Sequence, residues 1–325
     1  MSARVARIDR IGGPEVIEWH DVDLPAPAAG EVRIAHHAVG LNFIDVYHRS
    51  GVYPVSLPSG LGSEAAGTIE AVGEGVEGFA VGDRVGTFGP TRGAYASARN
   101  VAADQVVPLP DAVNFDTAAA IMLKGATAAF LVEDCAKVAA GQMVLVHAAA
   151  GGVGHLLVGW LKAVGAVVIG TAGTAEKAAR ATAAGADHVI VHTQEDVVAR
   201  VRAITDGAGV STVFDGVGAA TWDVSLASAA RRGLIVSYGN AGGAVEGVKL
   251  ATLASHGSLF VTRPTLFDYA VSGDDKRRIA ARVFAMLARG AIVPEIGRHF
   301  PLERAADAHR ALEAGETQGS TVLVV

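Results

Sequence analysis

From residue 143 to residue 262, short apolar runs alternate with segments of helix length, and this alternation restricts the fold more than any other feature of the sequence. Continuous apolar runs are typical of strands buried on both faces of a parallel sheet, and the segments between them match connecting helices. The alternation predicts an α/β domain with a doubly wound, six-stranded parallel sheet. The predicted strands are 143–148, 167–171, 188–191, 212–214, 234–238 and 259–262, and the predicted helices are 153–164, 175–184, 195–205, 221–229 and a short one near 248–254.

A turn of small residues follows the first of these strands. It reads Ala149-x-Gly151-x-x-Gly154, a variant of the Gly-x-Gly-x-x-Gly turn that binds dinucleotides. Small residues let the backbone approach a pyrophosphate, and the helix that starts here offers free N–H groups to it. A plain Gly/Ala turn is the alternative, but the six predicted strands favour a nucleotide site made by Gly151, Gly152, Val153 and Gly154.

The end of the second strand indicates which nucleotide is bound. An NAD site places Asp or Glu there, on the ribose 2′-hydroxyl. This chain instead has Gly173, the Thr174 hydroxyl and, one helical turn later, the Lys177 ammonium. These groups suit a 2′-phosphate, so NADPH is the predicted cofactor. The alternative is that Thr174 only caps the helix and Lys177 is a solvated surface residue.

The first third of the chain has a different sequence pattern, in which short strand-like runs are separated by glycine and proline. It predicts an antiparallel β domain or partial barrel. The segments after Pro264 are expected to return to this domain. The runs are 5–8, 16–20, 31–39, 65–72 and 84–86, the later segments are 274–288, 292–300, 302–313 and 321–325, and the predicted domains are 1–122, 123–264 and 265–325.

Charge and composition exclude several classes of protein. The 325 residues carry 27 Lys and Arg against 33 Asp and Glu, a net charge of −6, which argues against nucleic-acid binding. The uncharged stretch 143–161 contains four glycines, so it predicts a buried strand, turn and helix rather than a membrane span. Arginines interrupt the apolar residues near the start, so we expect no signal peptide and a cytoplasmic protein. Cys135 is the single cysteine and excludes internal disulfides.

Long motifs run through nearly the whole chain. They include VGLNFIDVYHRSGVYP at 39–54, LPSGLGSEAAG at 57–67, LKGATA at 123–128, HAAAGGVG at 147–154 and RRGLIVSYGN at 231–240. On these motifs the chain resembles the zinc-independent, zeta-crystallin-like NADPH:quinone oxidoreductases of the medium-chain dehydrogenase/reductase superfamily. The resemblance implies a GroES-like β domain for the substrate, a Rossmann domain for NADPH, and a nicotinamide in the cleft between them.

Zinc-dependent members of that superfamily use a Cys, a His in a Gly-His-Glu run, and a further Cys or acid. The corresponding run here is Gly62-Ser63-Glu64, residues 42–47 contain no cysteine, and the four-cysteine lobe near residues 90–100 is missing. No metal is expected. Without a Lewis acid, the substrate must accept hydride readily, as a quinone or an activated enone does.

The resemblance also implies the site residues. It places Asn42, Phe43, Ile44, Asp45 and Tyr47 beside the nicotinamide and Tyr53 at the substrate mouth. Asn42, Tyr47 and Tyr53 are the candidate catalytic residues, and the tyrosines could donate to a developing phenolate or simply pack on a loop. Further cofactor contacts are expected from Lys124, Thr127, Gly216, Tyr238, Gly239, Asn240, Ala241, Pro264, Thr265 and Leu266; an interdomain salt bridge is the alternative role for Lys124.

Two positions depart from the family pattern around the nucleotide. His192 stands at the end of the third strand, where relatives commonly have a Tyr that covers the adenine or its phosphate. An imidazole can still stack or bind phosphate, but its affinity depends on pH. Gly315 replaces a basic residue often found before the TQGS run, which removes one phosphate contact. Both departures weaken the prediction of NADPH without reversing it.

The last predicted strand, 259–262, is apolar and lies at the sheet edge. It therefore predicts a homodimer in which this strand pairs with the same strand of a second copy.

The main functional hypothesis is NADPH-dependent reduction of small quinones in the interdomain cleft. The first alternative is reduction of enone or alkenal double bonds, and the second is a non-catalytic NADPH-binding sensor. No nucleic-acid or membrane partner is expected.

Overall fold

The computed structural model describes residues 2–325 and divides into two compact units. The first unit contains the residues up to 126, together with 270–284 and 294–325, and the second contains 127–269 and 285–293. The second unit therefore ends at residue 269 rather than at the predicted 264. It also takes in residues 285–293, which the sequence analysis assigned to the C-terminal return.

The helices and strands are numbered in chain order. The strands are β1 (Ser2–Ile8), β2 (Glu18–Asp23), β3 (Glu31–Leu41), β4 (Ser59–Gly60), β5 (Glu64–Val72), β6 (Arg84–Phe88), β7 (Ala98–Ala102), β8 (Val106–Pro108), β9 (Met143–Val146), β10 (Val167–Ala172), β11 (His188–Val191), β12 (Val210–Asp215), β13 (Ala229–Ser237), β14 (Phe260–Thr262), β15 (Ile296–Pro301) and β16 (Ser320–Val324). The α-helices are α1 (Phe43–Ser50), α2 (Phe115–Ala129), α3 (Gly152–Ala163), α4 (Ala175–Ala183), α5 (Val197–Ile204), α6 (Trp222–Ser228), α7 (Leu250–Ser255), α8 (Leu266–Tyr269), α9 (Gly273–Ala288) and α10 (Ala305–Glu313).

The second unit is the predicted Rossmann domain. Its six strands run parallel in the order β11-β10-β9-β12-β13-β14, the order of a doubly wound dinucleotide-binding fold. All six predicted strands and all five predicted helices of this region are present, with ends that differ by a few residues. Apolar strand residues are buried on both faces of the sheet, as the continuous apolar runs indicate.

The first unit contains the predicted β domain. A sheet in the order β15-β16-β3-β5-β6-β8, with β7 also paired to β3, is antiparallel except between β15 and β16. A smaller sheet pairs β1 with β2 and β4. The C-terminal strands join this unit, so the chain does return to its first domain.

Helix α1 is absent from the sequence-based prediction, which treated its residues as a loop. Aromatic and branched residues at 43–47 favour strands by propensity, and this conceals the helix. The residues at its two ends nevertheless indicate a helix. Asn42 has extended backbone angles at the N-cap, Asp45 accepts the Asn42 N–H at 3.0 Å, and Gly51 closes the helix at φ 82°.

One helical stretch, 115–135, is long and apolar enough to span a membrane by length and composition alone. It comprises α2 and a π-helical turn at Phe130–Cys135. Its most apolar window is 78% buried inside the protein. That burial is typical of a core helix, whose apolar faces pack against protein rather than lipid.

Candidate active site

The glycine-rich turn of the second unit joins β9 to α3. Ala148 has a positive φ of 51°, and the Gly151 N–H donates to the Ala148 carbonyl at 2.9 Å, which folds the chain back before the helix starts. Gly151 is the N-cap of α3, and no side chain caps the helix there. The first N–H groups of α3 therefore point out of the turn toward any anion that approaches it.

Gly154 allows α3 to lie close to the end of β9. A Cβ at this position would stand 2.2 Å from the Ala148 carbonyl oxygen, far inside any allowed contact. At Gly151 the nearest atom to a Cβ would be the same oxygen, at 3.2 Å. Gly154 is thus required by helix–strand packing. At Gly151 a side chain would instead lie on the outer side of the turn, where a ligand would approach.

A buried hydrogen-bond network that the sequence analysis missed lies beneath this turn. His147 Nδ1 is 3.2 Å from Thr171 Oγ1, and His147 Nε2 is 3.1 Å from Ser225 Oγ. Ser225 donates to Asp215 Oδ2 at 2.7 Å, and burial lowers the pKa of His147. The network fixes the carboxyl ends of β9, β10 and β12 relative to one another. These residues lie far apart in the chain, and no local pattern joins them.

The predicted 2′-phosphate residues lie at the ends of β10 and β11. Thr174 is the N-cap of α4, and its hydroxyl oxygen accepts the Lys177 N–H at 3.2 Å. A Cβ at Gly173 would lie 3.4 Å from His192 Nε2, so Gly173, Thr174 and His192 come together. Lys177 is half-buried and His192 is exposed. Thr174 is therefore a helix cap, as the alternative supposed, and its O–H hydrogen can still donate.

The ends of β12 and β13 are packed backbone to backbone. A Cβ at Gly239 would stand 2.2 Å from the Gly216 carbonyl oxygen, and one at Gly216 would stand 2.8 Å from the Tyr238 ring. Both glycines are therefore required by the contact between these two loops. Arg263 donates to the Ser237 carbonyl at 2.7 Å and, with the Asn240 amide turned to satisfy both groups, to Asn240 at 3.2 Å.

The remaining predicted residues of the second unit sit near these loops or at its start. Ala241 donates its N–H to the Gly216 carbonyl at 3.3 Å. Pro264 and Thr265 lead into α8, where Leu266 is buried. Thr127 is half-buried in the last turns of α2. Gly315 has φ 69° just after α10 in the first unit, a turn that suits glycine.

In the first unit, Asn42 and Lys124 converge on a buried carboxylate. Asn42 Nδ2 donates to Glu64 Oε2 at 2.9 Å, and Lys124 Nζ lies 3.7 Å from the same oxygen. Glu64 also accepts the Leu123 N–H at 2.6 Å, and burial raises its pKa. Lys124 donates to the Leu41 carbonyl at 3.2 Å. The salt bridge of Lys124 therefore joins it to its own unit rather than to the other domain.

Asp45 is fully buried next to this cluster. Its carboxylate accepts hydrogen bonds from the Asn42 N–H at 3.0 Å, the Ser63 hydroxyl at 3.3 Å and the Tyr95 hydroxyl at 3.1 Å. Burial raises the pKa of Asp45 to about 7, and the Asn42 and Tyr95 hydrogen bonds act against that rise. The carboxylate is thus directed into the unit, where it anchors the start of α1.

The two candidate tyrosines pack against each other. The Tyr47 and Tyr53 rings meet edge to face with centroids 5.1 Å apart, and Phe43 lies 6.1 Å from Tyr47. Tyr47 is buried on α1, while Tyr53 is half-buried just after the helix, where its N–H donates to the Tyr47 carbonyl at 3.0 Å. Ile44 is half-buried as well. Phe43, Tyr47 and Tyr53 therefore form an aromatic cluster whose members are positioned by α1.

A six-stranded parallel sheet with this turn, in a chain that also folds a GroES-like β unit, defines a two-domain dehydrogenase/reductase. A family model of zinc-binding dehydrogenases matches residues 152–285, and one of the alcohol dehydrogenase GroES-like domain matches 28–111. Among the described residues, no three His, Cys, Asp or Glu side chains come together as metal ligands.

Comparison with known proteins narrows this class. The chain is 48% identical to a quinone oxidoreductase of Pseudomonas aeruginosa over 96% of this chain and 97% of that one. The structure of Escherichia coli quinone oxidoreductase complexed with NADPH superposes with a TM-score of 0.97 at 44% identity, covering 99% of this chain and all of the other. A 2-haloacrylate reductase of a Burkholderia species is 39% identical over 98% of each chain. The chain belongs to the quinone oxidoreductases of the medium-chain dehydrogenase/reductase superfamily, which confirms the predicted family and fold.

Proposed function

We propose that this protein reduces quinones with NADPH. The observation that carries the proposal is the turn from β9 into α3, where an uncapped helix N-terminus is pressed against the strand by Gly154. This arrangement, at the centre of a doubly wound sheet, is a pyrophosphate site. Three relatives that are 45–48% identical over 96% of this chain are quinone oxidoreductases, and one solved relative is a quinone oxidoreductase in complex with NADPH.

The residues at the nucleotide turn fit this cofactor. The backbone N–H groups of Gly151, Gly152, Val153 and Gly154 would hold the pyrophosphate, because they lie at the uncapped N-terminus of α3 and Gly151 has no side chain to keep a ligand away. At the end of β10, the Thr174 hydroxyl and the Lys177 ammonium would hold the 2′-phosphate, with His192 beside them. When bound, NADPH supplies the hydride.

The first unit supplies the groups that orient the substrate. Asn42 is held by Glu64 through its Nδ2 atom, so its side chain has one fixed orientation. Tyr47 and Tyr53 are hydroxyl donors that would stabilise the negative charge developing on a quinone oxygen. Ser63, at the position where zinc enzymes have a histidine, donates its hydroxyl to Asp45. These contacts support hydride transfer that relies on positioned donors rather than on a bound metal.

Affinity measurements test the cofactor proposal independently of turnover. Lys177→Ala should weaken NADPH binding by about 1–3 kcal/mol and leave NADH binding nearly unchanged, because only NADPH carries the 2′-phosphate. Lys249→Ala, an exposed lysine of the same unit, is the control and should change neither affinity. Equal losses for NADPH and NADH in the Lys177 variant would refute the phosphate site.

Reduction of an activated alkene is the second candidate reaction. The 39% identity to a 2-haloacrylate reductase favours it over the sensor hypothesis, because that relative matches this chain end to end. Hydride delivery to a polarised alkene needs the same nucleotide site and similar donors. Turnover with 2-chloroacrylate or a simple enone, without turnover of quinones, would transfer the proposal to this reaction.

We also propose that the protein is a cytoplasmic homodimer joined through β14. This strand is the edge of the six-stranded sheet, and Phe260 is 58% and Val261 38% exposed on it. An apolar, unprotected edge strand favours pairing with a second copy. Val261→Lys should convert a dimer into a monomer in light scattering at micromolar concentration. A wild-type protein that is already monomeric there would refute the proposed dimer.

A further inference from the structure

A buried series of hydrogen bonds connects α10 with the start of α1, and its middle residues have no role in the hydride transfer proposed above. Arg49, near the end of α1, is 2% exposed and makes two hydrogen bonds to Glu313, of 2.9 and 2.7 Å. Its Nη1 atom also lies 3.2 Å from His309 Nδ1. His309 Nε2 is 3.0 Å from the Tyr95 hydroxyl, which lies 3.1 Å from Asp45 Oδ2. Three side chains, Arg49, His309 and Tyr95, thus connect the partly exposed Glu313 carboxylate to Asp45.

The chemistry of these groups fixes which atom donates in each hydrogen bond from Arg49 to Asp45. A guanidinium has only donors, so His309 Nδ1 must accept from Arg49. Burial and the neighbouring Arg49 charge lower the pKa of His309 to about 3, which keeps the imidazole neutral with its hydrogen on Nε2. The Tyr95 oxygen then accepts from His309, and the Tyr95 O–H is left to donate to Asp45. Each hydrogen points from the Arg49 charge toward the Asp45 carboxylate.

Asp45 receives charge and hydrogen bonds from every side. Asn42 donates from the N-cap of α1, Ser63 from just before β5, and Tyr95 from the loop residue next to Ala96, which bridges to Val5 of β1. The Lys124 ammonium on α2 favours the ionised carboxylate, and the Glu64 carboxylate disfavours it. Among these partners, Tyr95 is the one whose O–H direction is fixed by further hydrogen bonds, which continue through His309 and Arg49 to Glu313 on α10.

We propose that Tyr95 and His309 are positioning residues of the quinone reductase site. Together with Arg49 they hold a donor on Asp45, and ionised Asp45 holds the Asn42 N–H at the start of α1, the helix that Asn42 caps and that carries Tyr47. This inference rests on the proposed function, because the positioned residues are those assigned to substrate orientation. When Asp45 takes up a proton, the charge-assisted bond to Asn42 weakens and the start of α1 loosens.

The consequence is that activity should fall at low pH, over the pH range in which Asp45 becomes protonated. Removal of the Tyr95 hydroxyl takes away an interaction made with the charged carboxylate, so the protonated form persists to higher pH. Tyr95→Phe should therefore move the acidic limb of the kcat/KM profile upward by about one pH unit or more. His309→Leu should move it in the same direction, because the Tyr95 hydroxyl can then turn away. His309→Gln, whose amide offers both an acceptor and a donor, should restore much of the wild-type profile.

The experiment measures kcat/KM for a quinone between about pH 5.5 and pH 9, and the infrared C=O band of protonated Asp45 over the same range. The band is identified by its loss in Asp45→Asn. Tyr269→Phe, a tyrosine of the other unit, is the control and should leave both profiles in place. In Tyr95→Phe, the C=O band should disappear only at higher pH than in the wild type.

A uniform loss of activity at all pH values, with an unchanged titration of the Asp45 band, would overturn the proposal and leave Tyr95 as a packing residue. If the wild type turns over no quinone at all, the proposed function fails, but the infrared titration still tests the link from Tyr95 to Asp45. If Tyr95→Phe does not fold, the pair His309→Leu and His309→Gln answers the same question. Identical profiles in those two variants would overturn the proposal.

Discussion

Replacing Gly154 by alanine tests the geometry of the nucleotide turn. The new Cβ would stand 2.2 Å from the Ala148 carbonyl oxygen and 3.0 Å from both the Ala148 carbonyl carbon and the Ala149 Cα. Carbon atoms in contact are normally about 3.5–4.0 Å apart, so α3 must move away from β9 by on the order of 1 Å. Overpacking of this kind costs about 1–3 kcal/mol, and the better helix propensity of alanine offsets up to about 1 kcal/mol. We expect a net loss of about 1–2 kcal/mol in the free energy of unfolding.

Urea unfolding and NADPH affinity are measured together for Gly154→Ala and for a matched variant, Gly151→Ala. At Gly151 the closest contact of a Cβ is 3.2 Å, so stability should change by less than about 0.5 kcal/mol. Its methyl group would nevertheless occupy the outer side of the turn and should weaken NADPH binding at least tenfold. Equal stability of the two variants, or unchanged affinity in Gly151→Ala, would refute the description of the turn.

Two further predictions concern buried charges of the first unit. Lys124→Met leaves the Glu64 carboxylate buried without its counter-charge, which should cost about 3–5 kcal/mol in urea unfolding, whereas Lys124→Met combined with Glu64→Gln should recover much of that loss. Asp45 has a pKa of about 7 in the folded protein, above its value in the unfolded chain, so its contribution to stability is full at low pH and is lost as the pH rises toward 7. The wild type should therefore lose on the order of 3 kcal/mol relative to Asp45→Asn between about pH 4 and pH 8; parallel stability curves for the two proteins would contradict this.

The Rossmann unit could be predicted well because its signals are local. Each buried strand is a continuous apolar run, and Gly151 and Gly154 mark the turn by a steric requirement that the sequence shows directly. The strand ends differ from the prediction by a few residues in both directions. At β9 the apolar run predicted to residue 148 continues past the end of the strand at Val146, whereas at β13 pairing begins at Ala229, well before the apolar run at 234–238.

The β unit was harder to predict because its contacts are long-range. Helix α1 is built from residues with strand propensity and is recognisable only by Asn42 and Gly51 at its ends. Tyr95 and His309 lie 214 residues apart and meet only because the C-terminal segments pack on the first β domain. No periodicity or motif joins such residues, so the hydrogen-bond chain to Asp45 could not be read from the sequence.

Steady-state oxidation of the reduced nicotinamide tests the central claim most directly. The metal-stripped protein is assayed with NADPH and, separately, with NADH, using 1,4-benzoquinone, 1,2-naphthoquinone, 2-chloroacrylate and a simple enone as acceptors. The proposal predicts rapid turnover of the quinones with a strong preference for NADPH. Turnover of the alkenes alone would assign the protein to the second reaction, and tight NADPH binding without turnover of any acceptor would contradict an enzymatic role.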